Sequence, residues 1–158
     1  MIFSNKYKIL FIIFFSITVL TGCNNPKYIN LKKKPSLYYH SEKLYNLSKT
    51  HDYTLNILNN NYYSELIIDN DDKNILENFL NSLTTSSFIE KPKDLPSKPM
   101  YKLFVNCNNE KFIINVYKNS IVSLYPWDSS YKEDYISMDK IPERYNLLGY
   151  CKYIFNDK

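Results

Sequence analysis

Beyond residue 36 the apolar positions recur with two different periods. Tyr53, Leu55 and Ile57 alternate with polar neighbours, Asn59-Asn60-Asn61 suits a turn, and Ser64 to Ile68 is apolar again, which predicts a hairpin. The period then lengthens. Ile75, Leu76, Phe79, Leu80 and Leu83 fall at i, i+1, i+4, i+5 and i+8, one stripe over three helical turns, with Asp71 or Asp72 as the expected N-cap. Alternation returns in Tyr101, Leu103, Val105 and Cys107, then in Phe112, Ile114 and Val116, then from Ile121 to Tyr125. Asn108-Asn109 and Asn119-Ser120 separate these runs, so three strands joined by tight turns are expected.

Weaker signals fill the rest. Ser36 is placed to cap a short helix carrying Leu37, Leu44 and Leu47, and Phe88-Ile89 starts a strand. Lys91 to Pro99 holds three prolines and must be an extended connection. A fourth strand is expected near Tyr135 to Met138. Asp139 is expected to cap a last helix, with Pro142 in its first turn and Tyr145, Leu148, Cys151 and Phe155 on its apolar side. The order predicts the α+β class: an antiparallel sheet of about four to six strands with two helices packed on one face. Such a chain can bury a core without a metal or a disulfide.

The N-terminus follows a different rule. Lys6 and Lys8 precede a 12-residue apolar run, Ile9 to Leu20 (ILFIIFFSITVL), and Leu20-Thr21-Gly22-Cys23 follows. Twelve residues fall well short of the roughly 20 that span a bilayer, but they fit the apolar region of a signal peptide. Leu-Thr-Gly-Cys resembles the lipobox of bacterial lipoproteins. That resemblance implies a diacylglyceryl group on the Cys23 thiol and cleavage between Gly22 and Cys23. It also implies fatty acyl chains such as palmitate, and a membrane location on the extracytoplasmic face through the lipid anchor. The expected organisation is a signal peptide over 1–22, a lipidated Cys23 and basic tether over 23–35, and a single α+β domain over 36–158. With the element order, the lipobox makes the chain resemble the small uncharacterised lipoprotein domains of low-GC Gram-positive bacteria, families that bring no activity with them.

Charge changes the picture once it is divided along the chain. The formal net charge is +4, yet from Ser36 onward there are 14 basic and 16 acidic residues. The surplus belongs to the leader and to Lys27, Lys32, Lys33 and Lys34 in the tether, where lysines beside a lipid attract anionic headgroups. A mildly acidic body argues against nucleic-acid binding, which needs a basic face. Two glycines in 158 residues exclude a Gly-rich phosphate loop, a dinucleotide fingerprint and a nucleophile elbow. The 16 tyrosines and 19 lysines against the single Arg144 reflect AT-rich codon usage rather than function.

Few residues are placed for chemistry. Asp69, Asp71 and Asp72 lack the Gly and the distal bidentate Glu of a calcium loop and are expected to complement a helix dipole. His40 and His51 carry no metal-ligand spacing, so no metal site and no cofactor beyond the covalent lipid are expected. A Cys-His catalytic pair would require Cys107 or Cys151 to reach a histidine, and both cysteines fall on apolar stripes. If the last helix packs on the sheet face of Leu103 and Val105, Cys107 and Cys151 point into one layer. A disulfide then needs Cα atoms within about 7 Å. The only Trp sits in Tyr125-Pro126-Trp127-Asp128-Ser129-Ser130-Tyr131. Its ring is expected to cap the open end of the sheet core. Alternatively Tyr125, Trp127, Asp128 and Tyr131 form a ligand-binding surface, with rings for sugar C–H faces and polar groups for hydroxyls. The function expected from the sequence is therefore a monomeric, lipid-anchored binding or interaction module at the cell envelope, with an unidentified envelope protein as partner. Capture of a cell-wall glycan or small ligand is the alternative, and hydrolysis by dispersed carboxylates ranks last.

Overall fold

A computed structural model describes residues 33–156; the signal segment, Cys23 and the tether through Lys32 lie outside the described residues. The three long alternating runs form β4 (Tyr101–Cys107), β5 (Glu110–Val116) and β6 (Ile121–Pro126), and the expected hairpin forms β1 (Tyr53–Asn59) and β2 (Ser64–Ile68). β3 (Phe88–Ile89) and β7 (Asp134–Ser137) complete a seven-stranded sheet of order β2-β1-β4-β5-β6-β7-β3, antiparallel at every pairing. The α+β architecture is as expected, with one strand and one helix more. α1 (Tyr39–Ser48), α2 (Asn74–Ser82) and α3 (Leu147–Phe155) are the three helices.

One face of the sheet carries the main core. Leu55, Ile57, Leu103, Val105, Ile114 and Leu124 meet Leu44 of α1, Leu76 and Phe79 of α2, and Leu147 and Cys151 of α3. The six-residue run Phe112 to Tyr117 is buried on both faces. On the opposite face Tyr117, Ile121 and Tyr135 pack with Ile89 and Leu95, so the proline-rich connection acts as a lid over β6 and β7. An extended segment without a ladder of its own can lie on a sheet face in this way.

Three helix starts differ from expectation. α1 begins at Tyr39, and its N-cap Tyr38 offers no side-chain bond. Asp71 and Asp72 sit in turns before α2, whose N-cap is Lys73. α3 begins at Leu147 because Asn146 accepts from the backbone N–H groups of Leu148 (2.9 Å) and Gly149 (3.3 Å). Asp139 instead accepts from the Ser137 hydroxyl, and Pro142 precedes a 3-10 turn, Glu143–Tyr145. Five non-glycine residues take left-handed backbone, among them Tyr63 in the β1–β2 turn and Asn108 in the β4–β5 turn. With two glycines in the chain, these positions fall to other residues: Asn108 and Asn156 tolerate this backbone, whereas His51, Tyr63 and Ser120 carry steric strain on the order of 1–2 kcal/mol each.

The register defines two poles. Leu124 pairs with Asp134, Phe112 with Pro126 and Tyr53 with Cys107, so the loop 127–133, the β4–β5 turn and the start of β1 share one end of the sheet. Asn59 pairs with both Ser64 and Tyr101, which puts the β1–β2 turn, residues 60–63, at the other end. Seven-residue strands separate these ends by about 20 Å.

Candidate functional site

At the first pole a polar cluster is buried where α1, β7 and the end of the tether meet. The α1 N-terminus leaves backbone N–H groups without helical partners, and Tyr38 caps none of them with its side chain. Asp134, fully buried in β7, takes that role from across the fold. Its Oδ2 accepts from the Ser41 backbone N–H at 2.7 Å and the Ser41 hydroxyl at 2.9 Å. Its Oδ1 accepts from the Lys34 ammonium at 2.8 Å. Lys34 also donates to the carbonyls of Glu133 (3.0 Å) and Leu37 (3.3 Å). The carboxylate thus caps a helix whose dipole favours negative charge there and neutralises a nearly buried cation. Lys34, counted with the tether in the sequence, fixes where the tether meets the body.

His40 lies beside this cluster and is 1% exposed. Its Nε2 is 3.1 Å from the Lys132 carbonyl and 3.2 Å from Ser129 Oγ. A carbonyl can only accept, so Nε2 carries the proton and donates. The Ser129 hydroxyl donates to the Tyr131 carbonyl at 2.7 Å and accepts from the Tyr131 N–H at 3.0 Å. Serine, histidine and aspartate therefore converge, but their protons run the wrong way for acyl transfer. The histidine offers no lone pair to the serine, and Asp134 binds Ser41 rather than His40. Burial lowers the His40 pKa, partly opposed by Asp134. The neutral ring works as a strut between α1 and the loop 129–132.

The cysteines are placed for packing. Cys107 and Cys151 are buried free thiols. Burial pushes Cys107 up to about 11 and Cys151 higher still, the opposite of what a nucleophile needs. His51 pairs with Glu77 (2.8 Å), which also accepts from the Tyr53 hydroxyl (3.1 Å), and His51, Tyr53 and Lys73 line a polar cleft in which the Lys73 ammonium donates to the His51 carbonyl. A second cleft is lined by Arg144, Tyr150 and Tyr153. Among the described residues no three His, Cys, Asp or Glu side chains gather as a metal site would require.

Trp127 does not cap the core. Its ring is 68% exposed, because the Trp127 N–H donates to the Lys111 carbonyl (2.8 Å) and extends the β5–β6 pairing one residue past Pro126, beyond the sheet face that the helices cover. Of the other residues expected around it, Asp128 is exposed and Tyr125 and Tyr131 are half-buried. The Tyr131 ring meets Tyr39 edge-on at 5.3 Å. The loop is thus tied to α1, near the end of the tether, and neither cleft includes it. The β1–β2 hairpin carries a second exposed group that sequence reasoning passed over: Tyr62 and Tyr63 in the turn at the opposite pole and Ile67 midway along the edge strand β2, each more than 70% exposed. An apolar residue on the outer strand of a hairpin reads as core in a sequence, since the pattern does not say which strand lacks a neighbour.

No curated protein matches the chain. The crystal structure of a protein named "Putative Lipoprotein" from Clostridium perfringens is similar, at 42% identity and a TM-score of 0.72, covering 78% of this chain and 99% of that one. None of the described helices is long and apolar enough to cross a membrane. The model of the family described as "Domain of unknown function (DUF4883)" matches residues 34–151, from the Lys34 anchor to Cys151 of α3, and the chain belongs to that family.

Proposed function

We propose that the protein is a lipoprotein held by Cys23 on the extracytoplasmic face of the membrane, and that it works there as a non-enzymatic interaction module. The Leu20-Thr21-Gly22-Cys23 motif and the name of the Clostridium perfringens relative support the anchor. The wiring of His40 and Ser129, with every proton committed to a carbonyl, supports a role without acyl-transfer chemistry. The observation that carries the interaction reading is the β1–β2 hairpin. β2 exposes Leu66 and Ile67, is an edge strand among the described residues, and carries a single charge, Glu65, against strand addition. An extended protein segment pairing with β2 would gain main-chain hydrogen bonds there and apolar contacts with Tyr62 and Ile67.

A photo-crosslinking residue at Ile67 tests this in intact cells. The expected result is a discrete adduct from position 67 and none from the exposed Lys140. Adducts from both positions or from neither would contradict the reading. Glycan capture at Trp127 has the exposed ring in its favour, but the loop lines neither of the two clefts described among residues 33–156.

A further inference from the structure

We infer that the loop carrying Trp127 is a membrane-interface contact, so that the body rests on the bilayer by the pole where its tether enters. The inference depends on the anchor at Cys23. It names the surface the lipid alone does not specify: which part of the body touches anionic phospholipid.

Connectivity supplies the first argument. Ten residues, 24 to 33, separate Cys23 from Lys34, and fully extended they reach about 33–36 Å. Lys34 is not a loose end. Its ammonium is fixed on Asp134 and on the Glu133 carbonyl, at the end of the sheet from which the loop 127–133 projects. The tether thus enters the body at the pole of the loop 127–133, while the β1–β2 turn stands about 20 Å away at the other end of the strands.

Side-chain chemistry supplies the second. The exposed large apolar side chains of this pole are Trp127, with Leu37 and Tyr38 just after the tether. Tyr39 and Tyr131 lie half-exposed between them with rings in contact. Tryptophan and tyrosine are the side chains that settle at headgroup level, with an apolar body and a polar edge. Lys33 and Lys132, both exposed, flank them, and lysines near an anionic surface add attraction.

Acidic groups limit the orientation. Asp128 is exposed beside Trp127, and Asp69, Asp71 and Asp72 lie at the same end of the sheet but follow β2. β2 is four strand spacings from β6, roughly 19 Å away. Tilting the body onto its β6–β7 side lowers Trp127 and lifts Asp69, Asp71 and Asp72, and it leaves Asp128, Glu133 and Glu90 at the membrane beside Lys33, Lys91 and Lys132.

The chain holds one tryptophan, so its fluorescence reads this contact directly. The full lipidated chain is reconstituted into vesicles of phosphatidylglycerol and phosphatidylcholine, with and without bromines on the upper acyl carbons. Flotation reads the anchor and Trp127 emission reads the contact. The expected result is co-flotation, emission shifted to shorter wavelength, and quenching by the brominated lipid. A Trp127→Phe, Tyr62→Trp chain, with the reporter at the far pole, should float equally well and escape quenching. Flotation with Trp127 as red and as unquenched as the position-62 reporter would overturn the contact and leave the anchor standing. Failure to float would overturn the anchor and the contact with it. Emission that responds to soluble peptidoglycan fragments and not to vesicles would make the loop a glycan site and overturn the inference.

Discussion

Replacing Asp134 with Asn changes one atom at the junction of tether, α1 and β7. The native carboxylate is fully buried and receives three donors: the Ser41 N–H, the Ser41 hydroxyl and the Lys34 ammonium. An amide keeps one oxygen for Ser41 but turns its NH₂ towards the Lys34 ammonium, whose side chain is only 14% exposed. The cation then loses its counter-ion, and the start of α1 loses the charge that complements its dipole. Removing one partner of a buried pair costs about 3–5 kcal/mol, because the remaining charge stays desolvated. Lys34→Met should cost less, since Asp134 keeps both Ser41 donors and the apolar stem is replaced in kind. Urea unfolding at neutral pH, compared at constant slope, measures both variants, and the double variant gives the coupling. Asp134→Asn within about 0.5 kcal/mol of wild type would refute the reasoning, by placing the pair in the exposed class whose contribution is small.

Three further outcomes follow from the same geometry. Trp127→Ala should change stability by no more than about 0.5 kcal/mol, as at other surface positions, whereas a loss near 3–5 kcal/mol would restore the ring to the core. A thiol reagent should find Cys107 and Cys151 silent in the native protein and count two reactive thiols after denaturation without reductant; a count of zero would establish a disulfide between them. Because burial holds His40 below the ordinary histidine value of 6.5, the unfolded chain binds that proton first, so stability should fall as pH drops below 6.5. His40→Gln should flatten this fall relative to wild type in the same urea titration, and an unchanged slope would assign the dependence to other groups.

The parts of the fold set by local periodicity were legible in the sequence. The α2 stripe and the alternation in β1, β4 and β5 are properties of short windows, and each matched its element. Helix starts were less legible because several polar residues compete for each. Asp139 and Asn146 both suit an N-cap, and Pro142 tips the first towards a 3-10 turn. Asp134 caps α1 from 93 residues away, which no local rule can register. The same separation hides the cluster at the first pole: Lys34 meets Asp134 across 100 positions and His40 meets Ser129 across 89. Trp127 was misjudged because large aromatics are usually buried, and only the extra backbone bond beyond Pro126 carries the ring outside the covered face. Leu95, in the proline-rich connection, reads as linker until the second face of the sheet is seen to need cover.

If Cys23 ties this body to a membrane, the mass of the mature chain records it. Chain extracted from the producing cell's membrane with detergent should weigh as residues 23–158 plus a diacylglyceryl-modified N-terminal cysteine. Cys23→Ser should leave the whole precursor uncut and free of acyl label. A mature chain that begins elsewhere and bears no lipid, or acyl label that survives in Cys23→Ser, would contradict the account.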